Sequence, residues 1–214
     1  MPQKDARKAF RIYLAVALFI SLALVPAAAH AAEPAPEAAA TALATRLLGD
    51  DAKLFSFEPI PAEHGKDVFE VEARDGRATI RGSSGVAMAS GLNWYLKYHC
   101  NCHVSWCGDQ LALPEPLPDA QLFRRVSPYR YRYYFNYCTF SYSMAWWDWE
   151  RWEREIDWMA LNGINMPLSV TGQEAIWQTV YRNMGLTDEE LDAFFVGPAF
   201  LPFGWMGCMD GWCG

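Results

Sequence analysis

Apolar and polar residues alternate along residues 67–81 in the pattern of a β-hairpin. The alternation runs on both sides of Asp75-Gly76, a residue pair that favours a tight turn. The apolar positions are Phe69, Val71, Ala73, Ala78 and Ile80. Over residues 85–98 the apolar spacing changes to that of a helix, and Ser83 or Ser84 can serve as its N-cap. This segment therefore predicts a small α/β unit.

Two segments delimit this unit. Residues 32–42 are rich in Ala, Pro and Glu, which predicts a flexible lead-in followed by a short helix. Three prolines between residues 114 and 118 predict a linker at its other end. We therefore expect an N-terminal α/β domain over residues 43–120.

A second pattern begins near Tyr129. The aromatic segment 131–138 has poor alternation, which fits a strand buried on both faces. Asp148 can cap a helix ending at Leu161, and residues 164–170 predict a second strand. The apolar stripe expected on this helix comprises Trp149, Trp152, Ile156, Met159 and Ala160.

Charged residues on this helix are expected to be exposed. Arg151 with Glu155 and Glu150 with Arg154 have the i, i+4 spacing of supporting ion pairs. Glu155 and Asp157 are interpreted as surface charges.

Two capping-box patterns follow, at Thr171–Glu174 and Thr187–Glu190, and each predicts the start of a helix. Strand, helix, strand, helix with short turns is typical of a parallel sheet. A (β/α)8 TIM barrel needs about 250 residues. Residues 121–214 are therefore expected to supply the first two βα units of an incomplete barrel.

The first 31 residues have the three parts of a secretory signal peptide. Four basic residues precede an apolar run over residues 12–25, and an alanine-rich stretch then offers cleavage sites. A transmembrane anchor needs about 20 apolar residues, so the signal peptide is favoured. The expected location is secreted or periplasmic.

The charge balance restricts the partners. The whole chain carries a net charge of −7, and residues 32–214 carry −10 because the signal segment is basic. Such a chain argues against nucleic acid and against a membrane as partners once the signal is cleaved.

Six cysteines in an exported chain could form disulfides. Five possible metal ligands crowd one segment: His99, Cys100, Cys102, His103 and Cys107. Their C-x-C-x₄-C spacing differs from the paired C-x₂-C of structural zinc sites. Buried free thiols or bridges to distant cysteines are favoured, and we expect no metal and no cofactor.

Tryptophan is concentrated in the second region, where eight of the ten lie between Trp146 and Trp212. Most tryptophans serve packing. Clustered rings in an exported protein also suit sugar binding, because a ring face packs on a pyranose. Both interpretations stay open at this point.

Long segments of the chain resemble the alpha-N-acetylglucosaminidase family. Residues 129–143 resemble its first barrel strand, and residues 146–165 its first barrel helix and following turn. Residues 80–86 and 100–104 resemble its N-terminal domain. The resemblance covers most of residues 66–212.

The resemblance implies a retaining exo-glycosidase that removes terminal α-linked N-acetylglucosamine from glycans. Both catalytic glutamates come from later barrel strands in this family, so we expect no catalytic residue in this chain and no activity from it by itself. Glu174 is interpreted as a capping residue. Asn136 and Cys138, at the end of the first strand, are expected to contact the sugar, and a buried free thiol stays open as the alternative for Cys138. Phe203, where the family pattern leads us to expect tryptophan, is the third expected contact.

Two alternatives accompany this interpretation. The chain could be a non-catalytic carbohydrate-binding module that uses its tryptophan-rich segment. A separate downstream chain could also complete the barrel. In each case the expected partner is a glycan with terminal N-acetylglucosamine.

Overall fold

The structure is a computed structural model that describes residues 34–195. The expected signal peptide and Phe203 lie outside the described residues. Within the described range, none of the helices combines the length and apolarity needed to cross a bilayer.

A mixed sheet forms the first part of the fold. Its elements are, in chain order, α1 (Pro36–Leu48), a 3₁₀ helix (Gly49–Leu54), β1 (Phe55–Pro59), β2 (Val68–Arg74), β3 (Arg77–Gly82), α2 (Gly85–Tyr98), β4 (His103–Ser105), β5 (Gly108–Gln110) and β6 (Ala120–Val126). The strand order is β1-β3-β2-β6, and β4 and β5 form a separate hairpin. The predicted hairpin is confirmed, with β2 antiparallel to β3 and Ala73 opposite Ala78.

Helix α2 covers this sheet, as its apolar spacing predicts. Ser84 is the N-cap, and its side chain accepts from the Ala87 backbone N–H at 3.1 Å. Leu92, Tyr95 and Leu96 are fully buried and form the core with sheet residues. Gly91 faces the sheet so closely that an added Cβ would lie 2.8 Å from a methyl carbon of Ile80.

Both ends of this domain differ from the sequence-based expectation. The lead-in expected over residues 32–42 is helical from Pro36, because proline is tolerated in the first turn and Leu43 buries against the sheet core. The prolines near residue 116 do not end the domain. Strand β6 follows them and pairs with β2, with Val126 opposite Val68, so the sheet crosses the expected boundary at residue 120.

The second part of the fold contains two short parallel strands and four helices. These are β7 (Tyr133–Tyr134), α3 (Tyr137–Tyr142), a 3₁₀ turn (Met144–Trp146), α4 (Trp149–Leu161), β8 (Met166–Pro167), α5 (Gln173–Asn183) and α6 (Asp188–Phe194). Tyr133 pairs with Met166 and Tyr134 with Pro167 in parallel register. The parallel arrangement agrees with the βα interpretation, and the sheet in the described residues is not a closed barrel.

The caps on these helices confirm two predictions and correct one. Asp148 caps α4 by accepting from the Arg151 backbone N–H at 2.9 Å. Thr187 and Glu190 form the predicted capping box of α6. The capping box predicted at Thr171 is wrong: α5 begins after Gly172, which has a φ of 86° and supplies no side-chain cap.

Helix α4 packs against helix α2 and joins the two parts. The Asn93 amide donates to the carbonyl of Leu161 at 3.0 Å, and the Ser90 hydroxyl donates to that of Ala160 at 3.3 Å. Two arginine–carboxylate pairs, each with two hydrogen bonds, tie α4 to two other elements of the N-terminal domain: Arg46 of α1 with Asp157, and Arg154 with Asp109 of β5. Arg154 therefore pairs with the β4–β5 hairpin, and the expected pair with Glu150 is replaced.

We expect Gly91→Ala to lower the free energy of unfolding by about 1–3 kcal/mol, because the added methyl group overpacks a closed core. Gly85→Ala is the matched control, since its Cβ would meet no atom closer than 3.4 Å. Urea unfolding followed by circular dichroism measures both. Equal stability of the two variants would contradict the proposed close contact of α2 with the sheet.

Candidate active site

The residue directly after strand β7 has a strained backbone. Phe135 has a φ of 75°, a conformation that costs a non-glycine residue about 1–3 kcal/mol. Its buried ring lies 5.3 Å from that of Phe140 and 6.2 Å from that of Trp152, which hold it in place. This residue interrupts the strand expected over residues 131–138 and turns the chain into α3.

Asn136 follows as the N-cap of α3. Its Oδ1 accepts from the Thr139 backbone N–H at 3.1 Å, and the Thr139 hydroxyl donates to the Asn136 carbonyl at 2.8 Å. The side chain is exposed, and its Nδ2 has no hydrogen-bond acceptor among the described residues. The cap therefore uses the amide oxygen and leaves the amide N–H₂ available to a ligand.

Cys138 lies in the first turn of α3, two residues after Asn136, and is a half-buried free thiol. The structure thus brings these two expected contacts together at the start of a helix. The sequence predicts a strand over residues 131–138, so it places both residues in the strand and not at a helix start. Phe203, outside the described residues, cannot be located relative to them.

The tryptophans divide between packing and exposure. Trp147, Trp152 and Trp158 pack against the core cluster that contains Phe135 and Phe140. Trp146 and Trp149 are 70% and 68% exposed, so Trp149 does not belong to the buried stripe expected on α4. Ile156 is likewise exposed. Trp147, Trp152 and Trp158 therefore serve packing, whereas the exposed rings of Trp146 and Trp149 are accessible to a ligand.

Glu155 is buried, and its interpretation as a surface charge is wrong. It is 1% exposed and accepts three hydrogen bonds. One is from Arg151 Nη2 at 3.0 Å, as the i, i+4 spacing predicts. The others are from Trp106 Nε1 at 3.3 Å and the Tyr134 hydroxyl at 3.4 Å. A single carboxylate therefore links the β4–β5 turn, α4 and β7.

Arg151 completes this cluster. Its guanidinium carbon lies 3.8 Å from the ring centroid of Trp147 and 5.3 Å from that of Trp106. Its Nη1 is buried and meets no hydrogen-bond acceptor in the part of the chain that the structure describes, and the attraction between the cation and the indole face offsets that loss. Burial, together with the neighbouring Glu155 carboxylate, raises the pKa of Tyr134.

The Glu155 carboxylate is not available as a catalytic acid or nucleophile. A glycosidase acid or nucleophile must reach the sugar, whereas this carboxylate is enclosed and neutralised by Arg151. The i, i+4 spacing predicts that Glu155 pairs with Arg151. It does not predict that Glu155 is buried, because the burial depends on Trp106, 49 residues away in the chain. Two further acids of this segment are also occupied, since Asp148 caps the helix and Asp157 pairs with Arg46.

The cysteine-rich segment forms packing contacts. Cys100 and Cys102 are buried in the core of the N-terminal domain, and Cys107 is exposed. Burial raises the pKa of the Cys100 thiol to about 11, so it stays protonated at neutral pH. Among residues 34–195, no three possible metal ligands come together.

Comparison with known proteins matches both parts of the chain. The sequence model of the alpha-N-acetylglucosaminidase N-terminal domain matches residues 38–119, and that of the alpha-N-acetylglucosaminidase TIM-barrel domain matches residues 132–214. The chain is 51% identical over 178 residues to human alpha-N-acetylglucosaminidase, which covers 80% of this chain and 24% of that protein.

Solved structures give the same result. A family 89 glycoside hydrolase from Clostridium perfringens, in complex with PUGNAc, is 37% identical, with a TM-score of 0.75 over 80% of this chain and 20% of that one. A second structure of the enzyme, in complex with its substrate GlcNAc-α-1,4-galactose, has the same identity and TM-score. The chain thus spans about a quarter of the human relative and a fifth of the bacterial one.

A small α/β domain followed by parallel βα units, together with these matches, is the start of the domain arrangement found in the TIM-barrel class of glycoside hydrolases. Within that class, the chain belongs to the alpha-N-acetylglucosaminidase family. The resemblance found in the sequence is therefore confirmed.

We expect Glu155→Gln to lower the free energy of unfolding by about 2–3 kcal/mol, because it leaves the Arg151 charge without its partner. The loss is smaller than for a fully buried pair, since the Arg151 side chain is 29% exposed. Glu153→Gln is the control on the same helix, because Glu153 is 41% exposed and 3.9 Å from Arg46. Urea unfolding compares them, and an equal small loss in both variants would contradict the proposed linking role.

Proposed function

We propose that this chain is the N-terminal part of an exported retaining glycosidase that removes terminal α-linked N-acetylglucosamine from glycans. The supporting observation is the bacterial relative in complex with GlcNAc-α-1,4-galactose, whose fold and sequence this chain shares over 80% of its length. The secretory pattern of residues 1–31 supports release outside the cytoplasm, in the periplasm or beyond.

In this proposal Asn136, Cys138 and Phe203 contact the sugar. Asn136 has the geometry for the role, because an exposed amide N–H₂ at the end of a barrel strand can donate to a hydroxyl or to the acetamido carbonyl. Cys138 presents a half-buried thiol two residues further along the chain. Phe203 supplies an aromatic face without the N–H that tryptophan would bring.

The same proposal holds that the 214 residues do not hydrolyse glycosides by themselves. Retaining chemistry needs two carboxyl groups about 5–5.5 Å apart, one as nucleophile and one as acid/base. Three of the five acids between positions 148 and 157 are occupied: Asp148 by the helix cap, Glu155 by a buried ion pair and Asp157 by an interdomain pair. The family resemblance assigns both catalytic glutamates to later barrel strands, which a downstream chain could supply.

A second candidate function is carbohydrate binding without catalysis. The exposed rings of Trp146 and Trp149, together with the free amide of Asn136, favour it. Neutral sugar rings stack on such faces without any need for a carboxylate pair. The two functions differ in whether a completed barrel turns the substrate over.

We expect the chain to bind N-acetylglucosamine and Asn136→Asp to weaken that binding at least tenfold. Aspartate keeps the N-cap acceptor for Thr139 but removes the amide donors, so the fold is retained while the sugar contact is lost. Titration of the sugar followed by calorimetry measures the affinity, and circular dichroism checks the fold. Ser143→Ala, at the other end of α3, is the control.

The same samples are tested on 4-nitrophenyl N-acetyl-α-glucosaminide. We expect no release of nitrophenol from the chain and none from the variants. Sugar binding that is unchanged in Asn136→Asp would remove Asn136 from the site. A flat titration of the unmodified chain would contradict the second candidate function, carbohydrate binding by this chain without catalysis.

A further inference from the structure

Four arginines lie within nine residues of an otherwise acidic chain, at Arg124, Arg125, Arg130 and Arg132. No aspartate or glutamate occurs in the sequence between Asp119 and Asp148. Any carboxylate that pairs with these cations on the connection from β6 to β7 must therefore come from elsewhere in the fold, and an exposed cation without such a partner is open to water or to a ligand.

Two of the four arginines have such carboxylates. Arg124 donates to Glu70 at 2.6 Å and to Glu63 at 3.1 Å. Arg132 pairs with Asp67. Arg125, on β6 next to Arg124, has no carboxylate partner, and no side-chain N–H of Arg125 meets an acceptor among residues 34–195.

The Arg125 guanidinium is nevertheless held in place. Its central carbon lies 4.6 Å from the ring centroid of Trp94 and 5.8 Å from that of Phe123. These two rings stack on each other with an interplanar angle of 5°. A guanidinium stacked on an aromatic face keeps its N–H groups in the plane of the fork, where they can bind a planar or tetrahedral oxyanion through two hydrogen bonds.

A cavity of about 180 Å³ opens beside this guanidinium, where the end of β6 meets the end of α4. Arg125, Arg132, Ser127 and Asn162 contribute polar groups to its wall. Asp67 also lines it, but its carboxylate is taken up by Arg132 and by the hydroxyls of two serines. The charge left uncompensated at this cavity is that of Arg125.

We propose that the Arg125 cavity binds a small oxyanion, a sulfate or phosphate group, through the stacked guanidinium. The group is either a free anion or a substituent on a sugar. This site lies on the seam between the N-terminal domain and α4, and it does not involve Asn136 or Cys138. It is therefore independent of the proposed glycosidase function.

Calorimetric titration of the full chain with sodium sulfate, at constant ionic strength set by sodium chloride, tests this inference. We expect saturable binding at one site, at least tenfold weaker in Arg125→Gln and unchanged in Arg124→Gln. Arg124 is the matched control because it is the adjacent cation on the same strand and is already neutralised. Arg125→Lys keeps the charge without the fork, and we expect an intermediate affinity.

A parallel titration with glucose 6-sulfate and with glucose distinguishes the source of the anion. Tighter binding of glucose 6-sulfate than of sulfate, with none of glucose, assigns a sugar substituent; equal binding of the two sulfates assigns a free anion. The inference is overturned if sulfate does not bind above the chloride background. It is also overturned if folded Arg125→Gln, or Arg125→Lys where the first variant does not fold, binds sulfate as the unmodified chain does.

Discussion

Arg132 and Asp67 form a half-buried ion pair across the seam between the N-terminal sheet and the barrel strands. The same guanidinium donates to the backbone carbonyls of Gly163 at 2.5 Å and Tyr129 at 3.1 Å. Asp67 in turn accepts from the hydroxyl of Ser84, which caps α2. One contact thus joins the start of α2, the entry to β7 and the turn after α4. Because both groups are largely withdrawn from water, removal of either leaves a poorly solvated charge.

The candidate active site depends on this seam through β7. Arg132, the residue before β7, is held by its ion pair, and the hydroxyl of Tyr134 in the strand donates to the buried Glu155 carboxylate. Phe135 can then remain in its strained conformation and place Asn136 at the start of α3. Rigid support of this kind is what a sugar contact at a strand end needs, because a loosely held amide gains little from one hydrogen bond. The N-terminal domain therefore supports the site without lining it.

Local signals in the sequence were sufficient for much of this fold. The hairpin at Asp75-Gly76, the cap at Ser84 and the cap at Asp148 all follow from residues close together in the chain. Long-range contacts account for what the sequence did not show. Glu155 is buried by Trp106, and β6 joins the sheet by pairing with β2 some fifty residues earlier. Among the candidate site residues, Asn136 was predicted from the family resemblance. The sequence did not predict that its amide oxygen caps α3 while its N–H₂ group stays exposed, because that depends on the three-dimensional position of Thr139.

Hydrogen–deuterium exchange measured on Arg132→Gln tests the central role of this seam most directly. Arg130→Gln is the matched control, because Arg130 is exposed and has no carboxylate partner in the described part of the chain. We expect the backbone amides of α2 and α4 to lose protection together in Arg132→Gln and to keep it in the control. Lost protection confined to the residues next to position 132, with α2 and α4 unchanged, would contradict the view that this ion pair couples the stability of the two parts.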